Sequence, residues 1–304
     1  MNQGVFYMAS AEVKNTICPY LVKPLIEVGQ INREHVLPVG IGAPESFFVD
    51  AALSENSRLN DLVDAPMIND PLIKMFCMMA DINGRSGGKT ATMHGETEIG
   101  GRFTANITKE TIDFKYRKPV EKNKLTGKVL VKGFGEEVFG EAAKIAKNMA
   151  SKGRNGEGDI TMFIHSKEHL NMNFYSDFML VIREAIKAAY LFTVKVYGDV
   201  AITSKSGSVF RAAFEARNEE KLRASGLHWQ QLPADHYEPI VKLTVKHHMF
   251  MTSLKKDMMY TQIVLFGGLS FIFWTPRDDI EFEHDGCGKL IDASKRCFID
   301  RPED

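Results

Sequence analysis

Glu34 and His35 stand side by side in the stretch Ile31-Asn32-Arg33-Glu34-His35-Val36-Leu37-Pro38. Beyond a Gly/Pro loop, Ser54-Glu55-Asn56-Ser57-Arg58-Leu59-Asn60 opens a polar helical segment. A carboxylate and an amide oxygen are hard ligands that can hold Mg²⁺ or Mn²⁺ against a phosphate. An adjacent imidazole can polarise an attacking water. Phosphodiester hydrolysis needs both, because the leaving alkoxide is poor and the phosphate repels an anionic nucleophile. The residue types therefore suit metal-assisted hydrolysis, with Glu34 and Asn56 on the cation and His35 as base.

The elements that must position these groups are short. Ile31, Val36 and Leu37 suggest a strand that breaks at Pro38, Gly40, Gly42 and Pro44, and Phe47-Phe48-Val49 suggests a second. Ser54 is a candidate N-cap, with Glu55 in the first turn where the helix dipole favours negative charge. Leu59, Leu62 and Val63 form an apolar face, and Pro66 is expected to end the helix. Asn56, Asn60 and Asp64 fall at i, i+4 and i+8, so a regular helix lines them along one polar stripe. On an ideal strand Glu34 and His35 point to opposite faces.

The order strand, loop, strand, helix, with Asn32-Arg33-Glu34-His35-Val36-Leu37-Pro38, then Asn56-x-x-Leu59-Asn60 and Val63-Asp64-Ala65-Pro66, resembles the HNH endonuclease superfamily. The resemblance implies a ββα-metal module with Glu34, Asn56 and Asn60 as metal ligands, His35 as general base and a divalent metal (Mg or Mn) as cofactor. It also implies DNA, or else RNA, as the partner; a nuclease effector regulated by the C-terminal body, in defence against foreign DNA, is a further reading that the sequence itself does not address. The chain departs from the commoner pattern twice. No cysteine pair is available to hold a structural zinc around the module, and no asparagine lies between His35 and Asn56. Both departures favour an alternative: a degenerate HNH fold acting as a non-catalytic nucleic-acid or protein-binding module.

The rest of the chain reads as a larger body. An α+β fold is expected, with the ββα module at 1–83 embedded in an α+β body at 84–304 that contains antiparallel strands. Within that body, 102–154 is a basic strand region followed by a helix over 136–151. Phe178, Val181, Ile182, Ala185, Ile186, Ala189 and Tyr190 recur at helical spacing and place a long helix at 177–196. A further helix is expected over 211–223, and a C-terminal hairpin at 240–274 turns at Lys255-Lys256-Asp257. The apolar strands at 260–274 could pair within the chain or across a homodimer.

Of the 304 residues, 44% are hydrophobic and 25% charged, and the net charge is −1, so no global basic footprint points to nucleic acid. A local one exists. The window 109–154 carries 12 Lys/Arg against 6 Asp/Glu, interleaved with Phe114, Tyr116 and Phe134. Lys115, Arg117 and Lys118, with Arg33 beside the Glu-His pair, are the candidate phosphate contacts; a solvated sheet face reads equally well. Four scattered cysteines and the lack of a leader-like N-terminus suit a cytoplasmic protein, and no apolar run reaches membrane-span length.

Other motifs carry less. Gly84 to Thr90 ends in Gly-Lys-Thr but falls one residue short of a phosphate-binding loop. His165 and His169 have metal-helix spacing without a third ligand. His247-His248 on a strand place one ring inward and one outward.

Overall fold

The computed structural model describes residues 13–83, 90–97, 101–117, 120–122, 129–132, 137–151, 170–173, 176–233, 242–277 and 286–299. Lys118, the glycine-rich loop at 84–89 and the His165/His169 pair lie outside the described residues. Two compact units are present: one combines residues 1–89 with 176–304, and the other spans 90–175.

The first unit begins with an antiparallel pair, β1 (Ile31–His35) and β2 (Phe48–Ala52), registered with Arg33 opposite Asp50 and His35 opposite Phe48. The connection contains a tight 3-10 turn, Val39–Ile41, closed by Gly42 at φ +100. A side chain at Gly42 would begin 2.5 Å from the Ala293 carbonyl, so glycine is required both for the conformation and for the contact. Helix α1 (Leu53–Leu59) follows β2 directly.

Beyond α1 the helical path does not end at Pro66. It passes through a π turn, Asn60–Asp64, into α2 (Ala65–Asn69), where the proline sits in the first turn and gives up no needed hydrogen bond. The wider turn rotates α2 relative to α1. Asp64 consequently leaves the expected polar stripe and turns inward, while Asn60 stays exposed. Asp70 then caps α3 (Pro71–Met79) by accepting from Leu72 N at 2.9 Å.

The second unit contains β3 (Ala91–Thr97), β4 (Arg102–Ile107), β5 (Ile112–Tyr116), β6 (Val120–Lys122), β7 (Val129–Val131), α4 (Glu137–Ser151) and β8 (Leu170–Asn173). Its main sheet runs β5-β4-β3-β8, all antiparallel, and β6 pairs with β7. Lys115 and Arg117 are exposed on and just after β5, an edge strand.

The chain then re-enters the first unit through α5 (Phe178–Tyr197), capped by Asp177 and stopped at Gly198. Helices α6 (Asp199–Thr203), α7 (Lys205–Phe214) and α8 (Glu219–Ala224) come next. The helix expected over 211–223 is thus two helices, because Asn218 caps a new start by accepting from Lys221 N. The last strands are β9 (His228–Leu232), β10 (His247–Lys255), β11 (Met258–Leu265), β12 (Leu269–Pro276), β13 (Gly286–Asp292) and β14 (Cys297–Phe298). They form one antiparallel sheet ordered β14-β13-β10-β11-β12-β9.

The hairpin at Lys256-Asp257 lies where expected, but the apolar run 260–274 is two strands folded back at Phe266–Gly268, and they pair with each other within the chain. Gly267 (φ +62) permits that turn, packing against the Thr244 backbone.

Helix α5 is buried along nearly its whole length against the sheet, α7 and the β1–β2 hairpin. Phe47 seats the hairpin connection on this core, with ring centroids 6.2 Å from Phe192 and 5.1 Å from Phe250. Residues of 36–82 and of 181–293 share a single apolar core. The division therefore runs differently from 1–83 against 84–304. One hairpin and a few short helices bury too little by themselves and take their core from α5 and the sheet. The whole is α+β with antiparallel sheets, and the four cysteines are free thiols.

Candidate functional site

The pleat of β1 separates the two residues that sequence places together. Arg33 projects outward, His35 lies half-buried on the same side of the strand with its Nε2 enclosed, and Glu34 projects into the core. On the outer face, His35 Nε2 lies 3.4 Å from Glu45 Oε2, and its ring meets the Phe48 ring edge-on. The Arg33 guanidinium sits 4.6 Å from the Phe48 centroid, and Lys195 Nζ of α5 sits 5.3 Å from it. Two cations thus share one aromatic ring beside an imidazole. Asp50, opposite Arg33, is 3.8 Å from Lys14, so the face carries both signs of charge.

Glu34 meets a different set of groups. Its Oε1 accepts a charge-assisted hydrogen bond from Lys187 Nζ at 3.1 Å. The same ammonium donates to Asp64 Oδ1 and lies 3.8 Å from Glu184 Oε2. Side-chain exposure is 0% for Lys187 and Glu184, 2% for Glu34 and 13% for Asp64, so one cation and three carboxyls share an interior site. Burial opposes the Lys187 charge, but Asp64, Glu184 and Glu34 outweigh it and hold its pKa above the ordinary lysine value. Burial lifts Glu184 well above the usual carboxylate range, with Lys187 pulling it down and Asp64 pushing it up. Glu34 is raised for the same reasons. Burial thus favours the neutral form of Glu184 more than that of an exposed carboxyl, and Asp64 beside it acts in the same direction. The Tyr20 hydroxyl is also enclosed here; burial, then the charges of Glu34 and Asp64, keep it protonated.

The other expected ligands are held elsewhere. Asn56 Nδ2 donates to the Arg33 carbonyl at 2.9 Å, bracing α1 against β1, and Asn60 Nδ2 donates to Asp61 at 3.3 Å on the surface.

The chain matches no protein-family model, no curated protein and no solved structure.

As placed, Glu34, Asn56 and Asn60 do not fit a divalent cation. The one anionic ligand of the three faces inward and is already neutralised by an ammonium, while Asn60 is exposed at the surface. A cation bound by the two amides alone would lack the charge that gives such sites their affinity.

Sequence reasoning missed Lys187, Glu184, Tyr20 and the Phe48–Lys195 contact. One signal was available for the first two. From Phe178 to Val194 the only charges are Arg183, Glu184 and Lys187. A helix so nearly apolar on every side is buried, and charges on a buried helix need partners.

Proposed function

We propose that this chain is a non-cleaving nucleic-acid-binding module of HNH-like plan, contacting phosphate through the outer face of the β1–β2 hairpin. The observation that carries the reading is the grouping of Arg33 and Lys195 around Phe48, next to His35. Cations supply sequence-independent phosphate contacts, and an aromatic edge beside them gives bases an apolar surface. Lys115 and Arg117, exposed in the second unit, extend the same chemistry on a separate body. The inward turn of Glu34 favours binding over hydrolysis.

The test is fluorescence anisotropy with labelled single-stranded DNA, duplex DNA and RNA across a salt series. Arg33→Ala and Lys195→Ala should each weaken binding and flatten the slope of log K against log salt by about 0.7 to 0.9. Affinity and slope unchanged in both variants would sink the proposal.

Metal-dependent endonuclease activity, with His35 as base, is the second reading. It draws on Glu45, whose carboxylate at 3.4 Å can orient the imidazole. Plasmid nicking in Mg²⁺ or Mn²⁺ that disappears in EDTA and in His35→Ala would establish it in place of the first.

A further inference from the structure

The loop that leads into β1 supports an inference independent of nucleic-acid binding. Among the described residues eight large apolar side chains are exposed, and Leu21, Val22, Ile26 and Ile31 are four of them. Ile26 reaches 92% exposure, so it projects from a convex surface rather than lining a groove. The segment is nevertheless firmly built. Ile17 bridges to Pro24, Cys18 N donates to the Lys23 carbonyl at 2.8 Å, and Val22 N donates to the Cys18 carbonyl at 3.0 Å. Cys18 and Leu25 anchor it on Ala51 and Ala52 of β2, and Ala52 lies opposite Ile31, so Ile31 borders the same lobe. Val22 holds φ at +53, a conformation that glycine adopts freely and a β-branched residue adopts at a cost. Its side chain is 41% exposed and adds little to the core. A costly apolar side chain at an exposed tip points to a use outside the chain's own packing.

The charges around the lobe select its occupant. Between 13 and 33 the ionic residues are Lys14, Lys23 and Arg33 against Glu27, all exposed. Asp50 offsets Lys14 at 3.8 Å, and the balance stays basic. A second copy related by a two-fold axis would set this basic rim against itself. An anionic lipid surface complements it, accepts a convex apolar tip without a shaped pocket, and attracts each Lys or Arg beside it. We propose that the lobe at 17–31 docks the first unit on anionic membranes. Leu21, Val22 and Ile26 enter the interfacial layer, and Lys23 and Arg33 face the headgroups. This is attachment at the surface: among the described residues no helix is long and apolar enough to cross a membrane.

Vesicle sedimentation of the full chain tests this, with phosphatidylcholine vesicles prepared with and without phosphatidylserine. Wild type should pellet with the phosphatidylserine vesicles. Ile26→Ser should lower the partition coefficient about tenfold or more, because it removes an inserted apolar side chain. Lys23→Glu should lower it about fivefold or more. Both positions are exposed, so the urea midpoints of these variants should match wild type. Val22→Gly suits the positive φ better and should still weaken vesicle binding, which separates the use of the side chain from the needs of the fold. Wild type that stays in the supernatant with both vesicles overturns the proposal. So does retention that Ile26→Ser and Val22→Gly leave unchanged, since charge alone would then hold the protein. A wild-type dimer in analytical ultracentrifugation that Ile26→Ser dissociates also overturns it, because a second copy would then cover the lobe. These readouts contain no nucleic acid, so their failure is distinct from failure of the binding proposal.

Discussion

His248 gives the sharpest prediction because its two ring nitrogens are both committed. It lies on β10, fully buried, with Nε2 donating to the Ile41 carbonyl at 2.8 Å and Nδ1 accepting from Phe266 N at 3.1 Å. The backbone N–H at Nδ1 fixes the neutral tautomer, and a second proton would set donor against donor. Burial lowers the pKa from 6.5 to about 4, against a small upward pull from the Ile41 hydrogen bond. A histidine depressed in the folded state contributes stability that is complete above its unfolded pKa and is lost as pH falls from about 6.5 through about 4. Between pH 7.5 and 4.5 the linkage removes roughly 2.5 kcal/mol. The assay is urea unfolding at pH 7.5, 6.0 and 4.5 for wild type and His248→Gln. The variant is less stable at pH 7.5, but its stability should fall by about 2.5 kcal/mol less across that interval. Glu34 and Glu184, raised in the folded state, run in the opposite sense and contribute most at acid pH, and they are common to both proteins. Parallel curves for the two proteins would refute the reasoning.

Two further substitutions test how the first unit is held. Gly42→Ala places a methyl carbon against the Ala293 backbone at a positive φ, and it should cost about 2–4 kcal/mol in urea unfolding; an unchanged midpoint would show that the Ala293 segment yields freely. Asp70→Ala removes acceptors for Leu72 N, Ser176 Oγ and Asp177 N, so a loss of about 2–3 kcal/mol is expected. Amide exchange around residues 176–180 should quicken with it, and unaltered protection there would contradict a tethering role.

Local chemistry made some elements legible. The run from Ile31 to Leu59 gives strand, loop, strand and helix because turn residues and apolar spacing agree over that segment. The long helix at 178–197 follows from its periodicity, and the turn at Lys256-Asp257 from the charged residues between two apolar runs. What failed was whatever depends on residues distant in sequence or on a single inserted residue. Pro66 looks like a stop, yet a π turn upstream changes both the register and the destination of Asp64. Glu34 looks like a ligand because its neighbours are His35 and Pro38, and nothing near it in the chain announces Lys187. The strand pleat, by contrast, correctly warned that Glu34 and His35 face opposite ways and that one ring of the His247-His248 pair points inward, which is His248.

The placement of residues 90–175 between α3 and α5 has a consequence in time. Glu34 and Lys187 are 153 positions apart, so during synthesis the N-terminal hairpin waits for an entire second unit before its counter-charge exists. Each tenfold increase in such a span adds about 2 kcal/mol to the entropy cost of closing it. Until then the apolar face of the hairpin and its carboxylate remain in water, a state prone to wrong associations. One helix, α5, brings both the wall of the core and the ammonium that makes a buried Glu34 tolerable. A chain released before residue 187 would hold the expected sequence motif intact and still lack the interior that motif was folded around.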